Sequence, residues 1–311
     1  MDFHFSHYSL GREVREYISQ GFYVLIDPDI RKCVVFLGYE ADKYVGTGFL
    51  LGYKKIGYLV TVKHIAIHLR DDPFLVRINL KNRSCADLHG DKIHWFYHPD
   101  DDVDLAVTPL SIPHDSKYDT LYIRGEEMIG QADGQNIGIG DICYTIGLFH
   151  LLAGKKRNLP IVHTGNIALL PGDERIPVTD WYDSTGKKRR NVEAYLIESQ
   201  SLNGLSGSPV FARPTVSSPF HMNQPYANLG TLIPSRNLYL IGVWQAAWEA
   251  PPDQIIAIDR GMKPDTRVPV GMGFVVPATK LIELLESGEA KEHRDASIAK
   301  AEAGTPAGSL D

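Results

Sequence analysis

The sequence predicts an all-β fold, either a barrel or a sandwich. Many short apolar runs alternate with clusters of glycine, proline, asparagine and aspartate, which is typical of short strands joined by turns. Signals for helices are few, and 311 residues can bury a sizeable core as one large domain or two small ones. Strands are therefore expected to build most of that core.

The elements are predicted in order along the chain. A short helix from Ser9 to Gln20, capped by Ser9, comes first. Strands are expected at the apolar runs, which are residues 33–37, 46–51, 58–64, 75–80, 103–107 and 194–197. Apolar residues between Thr279 and Glu286, followed by Gly288, predict a second helix. The tail after it has no aromatic residue and is expected to be disordered.

Two candidate catalytic side chains stand at strand ends in the first half of the chain. His64 lies where the strand after Gly46-Thr47-Gly48 ends, and a histidine can accept and return a proton near neutral pH. Asp104 directly precedes an apolar run, so its carboxylate should lie at the edge of a core and find a partner there. Two alternatives stay open. His64 could be a structural histidine, and an aspartate in this acidic stretch, which includes Asp101 and Asp102, could face solvent.

A candidate nucleophile lies in the second half, in the segment Gly204-Leu205-Ser206-Gly207-Ser208-Pro209. A nucleophilic serine must project from a tight bend, with N–H groups nearby that bind the oxyanion formed during acyl transfer. Glycines permit the dihedral angles and the close substrate approach that this needs. Taken alone, the segment also fits an ordinary turn between two strands.

Together, these segments resemble the trypsin-like (chymotrypsin-fold) serine peptidases, of the bacterial kind without a zymogen N-terminus. The chain order His64, Asp104, Ser206 is that of chymotrypsin-type enzymes. Val60-Thr61-Val62-Lys63-His64, Asp104-Leu105-Ala106-Val107 and Gly204–Pro209 are similar to the family's three blocks, and weaker matches extend the resemblance from about residue 31 to about residue 286.

The resemblance implies two antiparallel β-barrels of the six-stranded type, with the active site between them and a short C-terminal helix. It divides the chain into an N-terminal extension (1–30), a first barrel with the histidine and the aspartate (31–115), a linker (116–130), a second barrel with the serine and the helix (131–287) and the tail (288–311).

The resemblance also implies a role for each site residue. Ser206 would be the nucleophile, His64 the general base and then acid, and Asp104 the carboxylate that orients the imidazole. The backbone N–H groups of Gly204 and Ser206 would form the oxyanion hole. Gln200, Val243, Trp244 and Gly273 would line the specificity pocket, and a neutral Gln200 makes a strict preference for arginine or lysine unexpected.

Two residues depart from the family's blocks. Ser208 stands where a second glycine is usual, and Lys63 stands where alanine is frequent. A serine is small enough to be tolerated, and the lysine can point to solvent or shape the substrate cleft. Neither departure removes a member of the triad.

Composition bounds the remaining functions. A formal net charge of −6 argues against a nucleic-acid partner, and no apolar run is long enough to span a membrane. The N-terminus lacks the features of a signal peptide. Three widely spaced cysteines, Cys33, Cys85 and Cys143, predict no disulfide framework. These features predict a cytoplasmic protein with reduced thiols.

The predicted function is that of a serine endopeptidase that acts on a polypeptide substrate without a cofactor or a metal ion. His64 and His68 have the spacing of a helical zinc site, but Ile65 occupies the position where the zinc-protease pattern needs a glutamate. Two alternatives remain. One is a catalytically silent trypsin-like scaffold that binds a peptide or a partner, and the other is an esterase that uses the same triad.

Overall fold

The described residues of the computed structural model form an eight-stranded sheet, a closed six-stranded barrel, a small two-stranded sheet of Ile176–Thr179 and Arg189–Val192, and two C-terminal helices. The structure describes residues 26–69, 74–90, 93–112, 117–125, 137–172, 174–179, 189–200, 202–214, 238–250 and 268–303. The predicted helix from Ser9 to Gln20 lies outside them. The helices are α1 Lys63–His68, α2 Ala278–Glu286 and α3 Gly288–Ala303, with 3₁₀ turns at Pro28–Cys33 and His150–Leu152. The strands are β1 Val34–Glu40, β2 Lys43–Tyr53, β3 Ile56–Thr61, β4 Phe74–Asn79, β5 Cys85–Gly90, β6 Phe96–Tyr97, β7 Ala106–Pro109, β8 Ile123–Arg124, β9 Ile142–Gly147, β10 Ile161–Leu169, β11 Ile176–Thr179, β12 Arg189–Val192, β13 Tyr195–Glu198, β14 Pro209–Arg213, β15 Tyr239–Ala250 and β16 Val268–Pro277.

The first half forms an eight-stranded sheet in the order β5-β4-β1-β2-β3-β7-β6, with β8 paired to β2. We expected a closed barrel here. Among the described residues, no ladder joins the two edge strands β5 and β6, although they are consecutive in the chain. Strand β6 has only two residues, which pair with β7 on one edge. On its other edge it could form at most two residue pairs with β5, which is little to hold a sheet closed.

The second half closes into a barrel of six strands in the order β10-β13-β16-β15-β14-β9. Every neighbouring pair in it is antiparallel. Buried apolar side chains from these strands fill the interior, as the alternation of an antiparallel strand allows. The predicted all-β fold with a barrel is therefore confirmed.

The segment predicted as the linker 116–130 is partly built into the first sheet. Strand β8 pairs in parallel with Leu51 and Gly52 of β2. The N–H of Asp119 donates to the carbonyl of Asn79 at 2.8 Å. Its described residues thus lie along the sheet that carries His64.

The short C-terminal helix is confirmed as α2. Leu281, Leu284 and Leu285 are buried, since their spacing puts them on one face of a helix. This face packs on the last strands of the barrel. The helix therefore covers apolar surface that the barrel leaves open.

The prediction of a disordered tail was wrong for residues 288–303, which form α3. Arg294 is only 2% exposed and donates to the carbonyl of Leu285 at 2.6 Å. It also pairs with the carboxylate of Glu286 at 3.1 Å. Because these contacts join α3 to α2, the helix does not depend on aromatic burial of its own. Residues 304–311 lie outside the described part of the chain.

Candidate active site

His64 and Asp104 form a close pair at the edge of the first sheet. The Nδ1 atom of His64 lies 2.7 Å from Oδ2 of Asp104, and the backbone N–H of His64 donates to Oδ1 at 2.9 Å. Asp104 is 3% exposed, so its charge is held by these contacts rather than by water. A carboxylate on Nδ1 favours the tautomer with a proton there and leaves Nε2 as an acceptor.

The neighbouring carboxylates bind other side chains. Asp101 pairs with Nζ of Lys63 at 2.6 Å, and Asp102 lies 3.4 Å from Nη1 of Arg190. Of the aspartates from 100 to 104, the structure thus places Asp104 on the imidazole. Lys63, one of the two departures from the family's blocks, thus binds the loop that carries Asp101 and leads to Asp104.

A buried histidine organises the loop that leads to Asp104. The N–H of Asp100 donates to Nδ1 of His98 at 3.0 Å, and the N–H of His98 donates to the carbonyl of Leu105 at 3.3 Å. Burial lowers the pKa of His98 below its ordinary value, although the nearby Glu283 carboxylate acts in the opposite direction. The neutral imidazole therefore serves as an acceptor that shapes this loop.

Ser206 lies in a turn that contains two glycines with positive φ. Gly204 and Gly207 have φ values of +105° and +87°, in the region that other residues rarely adopt. A Cβ atom on Gly207 would lie 2.0 Å from the carbonyl oxygen of Thr47. The turn can approach the first sheet this closely because residue 207 has no side chain.

The hydroxyl of Ser206 donates to the backbone carbonyl of Gln245 at 3.1 Å. A hydroxyl has one proton, so while it donates to Gln245 it does not donate to a second acceptor. The structure brings His64 and Asp104 together. A hydrogen bond between His64 and Ser206 stays a prediction.

The turn also presents the two N–H groups predicted to bind the oxyanion. The carbonyl of Asn203 accepts from the N–H of His150 at 3.3 Å, so the N–H of Gly204 in the same trans peptide points the opposite way. Within the described ranges, the N–H groups of Gly204 and Ser206 donate to no backbone carbonyl. Their predicted role in binding an oxyanion stays a prediction.

His150 is a neighbour of the turn that the sequence did not reveal. Its Cδ2 atom would lie 2.5 Å from a Cβ atom placed on Gly204. Burial lowers the pKa of its imidazole. The sequence signal is its place three residues after the end of β9, which could not be linked to Gly204 without the fold.

The residues predicted to line the specificity pocket are distributed over different surroundings. Trp244 is 2% exposed, and its ring lies against Gly273, where an added Cβ atom would be 2.1 Å from Cη2 of the ring. Trp244 belongs to the apolar core inside the barrel, whereas Val243 belongs to a separate core that includes Leu281 of α2. Gln200 is exposed. Val243 and Trp244 thus face opposite sides of β15, and a pocket lined by these residues stays a prediction.

Ser208, the other departure from the family's blocks, is accommodated by a glycine on a neighbouring strand. Ser208 is fully buried, and a Cβ atom on Gly147 would lie 1.9 Å from its Oγ atom. That hydroxyl has no hydrogen-bond partner among the described residues. The extra side chain therefore fits sterically, at the cost of an unsatisfied hydroxyl.

Three further features bear on the sequence expectations. The described part of the chain has no group of three or more histidine, cysteine, aspartate or glutamate side chains placed to hold a metal ion. Among its helices, none has the length and apolarity needed to cross a membrane. The three cysteines are free thiols, and burial raises the pKa of Cys143 to about 12.

Solved structures similar to this chain are protease structures. The MamO protease domain from Magnetospirillum magneticum, in its apo form, is 15% identical over 84% of this chain and 100% of that chain, with a TM-score of 0.49. The Rv3671c protease from M. tuberculosis, in its active form, is 16% identical over 83% of this chain and 82% of that chain, with a TM-score of 0.43. The serine endoprotease from Yersinia pestis is 16% identical over 86% of this chain and 66% of that chain, with a TM-score of 0.46. No protein-family model and no curated protein sequence matches the chain.

Proposed function

We propose that the protein is a serine peptidase that hydrolyses peptide bonds through an acyl-enzyme formed on Ser206. The observation that carries this proposal is the pairing of His64 with Asp104, in which both carboxylate oxygens are used. This pairing leaves Nε2 of the imidazole as the atom that can take a proton from a nucleophile.

The reaction would begin with a turn of the Ser206 hydroxyl from the carbonyl of Gln245 to Nε2 of His64. As Oγ attacks the substrate carbonyl, its proton moves to Nε2, and Asp104 stabilises the imidazolium. The N–H groups of Gly204 and Ser206 would bind the oxyanion. His64 would then give the proton to the leaving amine. Water would next attack the acyl carbonyl and lose a proton to Nε2 of His64, and Oγ of Ser206 would leave with that proton.

A second candidate function is that of a catalytically silent scaffold that binds a peptide or a partner. Two observations favour it. The Ser206 hydroxyl donates to the carbonyl of Gln245, and the ring of Trp244 packs against Gly273, a residue predicted to line the specificity pocket. In this case the His64–Asp104 pair would have a structural role only.

A fluorophosphonate probe separates these candidates. We expect Ser206 to be the serine that the probe labels rapidly, and Ser206→Ala to abolish labelling and peptide turnover. Ser287→Ala, outside the candidate site, is the control and should be labelled as the wild type is. A folded sample that is neither labelled nor active would support the silent scaffold. Turnover of esters without turnover of peptides would support the esterase.

A further inference from the structure

Thr47, in the middle of β2, connects the first sheet to the turn that carries Ser206. It is fully buried. Its N–H donates to the carbonyl of Ser206 at 2.9 Å, and its hydroxyl donates to the carbonyl of Gly204 at 2.7 Å. The hydroxyl also accepts from the N–H of Leu148 at 2.9 Å. One residue of the first half is thus bonded on both sides of Leu205, within the turn.

These bonds restrain the peptides that a glycine would otherwise let rotate. The hydroxyl holds the carbonyl of Gly204, and the N–H holds the carbonyl of Ser206. Between those two carbonyls lies the peptide whose N–H belongs to Ser206. Since Gly204 has φ of +105° and no side chain to limit its dihedrals, the orientation of this turn depends on such external bonds.

Thr47 is itself held in place. The hydroxyl of Thr61, at the end of β3, donates to the carbonyl of Thr47 at 2.8 Å. Thr61 lies three positions before His64 in the chain. The same bonded chain therefore runs from the strand next to the histidine, through Thr47, to the serine turn.

We propose that Thr47 is a positioning residue that keeps the Ser206 turn and its oxyanion-binding N–H groups aligned with His64. This inference rests on the proposed peptidase function for its kinetic part. Thr47 acts through Gly204 and Ser206, and does not itself meet the substrate. Its hydroxyl satisfies one acceptor and one donor that would otherwise be buried without partners.

The test compares Thr47→Val, which keeps the shape but loses the hydroxyl, with Thr47→Ser, which keeps the hydroxyl. We expect Thr47→Val to lower kcat and the rate of fluorophosphonate labelling by roughly 10- to 100-fold, less than the roughly 10²- to 10³-fold loss on removing an oxyanion-hole donor itself, with a KM change below about 3-fold. Thr47→Ser should stay within about 3-fold of the wild type. Thr108→Val, a buried threonine on β7, is the matched control and should leave kcat unchanged.

Amide hydrogen exchange gives a readout that needs no activity. In Thr47→Val, exchange should accelerate at Leu148 and in the segment 202–208, while Thr47→Ser and Thr108→Val should keep the wild-type rates there. Unchanged exchange in Thr47→Val would overturn the inference, whether or not the protein is active. Failure of the wild type to react with the probe would overturn the peptidase proposal and leave the exchange result to decide the role of Thr47.

Discussion

The carboxylate of Asp104 is the residue-scale feature on which the proposed chemistry depends most. It contacts both the ring nitrogen and the backbone N–H of His64. An amide in its place would keep the size of the side chain, but it could turn its NH₂ group to the ring and favour the wrong tautomer.

We predict that Asp104→Asn lowers turnover by about 10⁴-fold, the loss known for this change in a chymotrypsin-type enzyme. The double variant with Ser206→Ala should be barely worse than Ser206→Ala alone, because a triad acts as one unit. Turnover of a cleaved peptide is the measurement, with circular dichroism to verify folding. Asp101→Asn, whose carboxylate is 82% exposed, is the control and should remain active. Near-full activity of Asp104→Asn would show that His64 is oriented by something else.

At the scale of elements, the path of β15 controls the space beside Ser206. The N–H of Gly207 donates to the carbonyl of Trp244 at 2.9 Å, and the N–H of Trp244 donates to the carbonyl of Ser208 at 2.8 Å. After Trp244 the register with β16 shifts, so Gln245 is an extra residue in the strand. The shift lies beside the turn, and the ring of Trp244 covers Gly273 of β16.

For the proposed peptidase, we predict a preference for a small side chain before the scissile bond, which Trp244→Ala should relax. The kcat/KM ratio for peptides with phenylalanine over alanine at that position should rise by at least about 10-fold. Trp244→Ala also leaves a cavity in the core, which should lower the free energy of unfolding by about 3–5 kcal/mol. Trp244→Phe should therefore be measured in parallel as a milder change. Trp248→Ala is the control and should leave the ratio unchanged, since Trp248 lies further along β15 and stacks on Phe274 of β16. An unchanged ratio in both Trp244 variants would place the pocket elsewhere.

His98, in the loop that leads to Asp104, makes the stability of the protein depend on pH. His98 faces Asp100 in its own loop, and Glu283 and Lys280 on α2. Its pKa is lowered by burial, so the folded protein takes up a proton less readily than the unfolded chain, where a histidine has a pKa near 6.5. As the pH falls below about 6.5, the unfolded state binds more protons, and the free energy of unfolding decreases.

We predict a larger fall in melting temperature between pH 7.5 and pH 5.5 for the wild type than for His98→Asn. The asparagine can still accept from the N–H of Asp100, but it does not titrate. His94→Asn is the control, because the side chain of His94 is 71% exposed. An equal fall in the wild type and His98→Asn would assign the acid sensitivity to other groups.

At the scale of the whole molecule, the two halves are joined by buried polar contacts. The N–H of Asn158 donates to Oδ1 of Asn79 at 2.7 Å, and its side-chain amide donates to the carbonyl of Arg77 at 2.7 Å. The side chain of Asn79 donates back to the carbonyl of Asn158 at 3.2 Å. These bonds connect the loop after β9 to strand β4, and they fix the half with Ser206 against the half with His64.

Local patterns in the chain were enough to predict several features. Short apolar runs between turn residues predicted the all-β fold, and the spacing of Leu281, Leu284 and Leu285 predicted α2. Glycines around Ser206 predicted a turn with unusual dihedrals. His64 and Asp104 were selected because each stands at the end of an apolar run. All these signals lie within a few residues of the position that they describe.

What the sequence by itself determined was therefore the type of each element and the set of polar residues at its ends. Only the tertiary structure decided which carboxylate meets His64, that Trp244 covers Gly273, that Arg294 holds α3, and that Thr47 reaches the serine turn. The physical reason is distance along the chain. Thr47 and Gly204 are 157 positions apart, and His64 and Asp104 are 40 apart. No local period records such contacts, because they form only when the sheet and the barrel pack together.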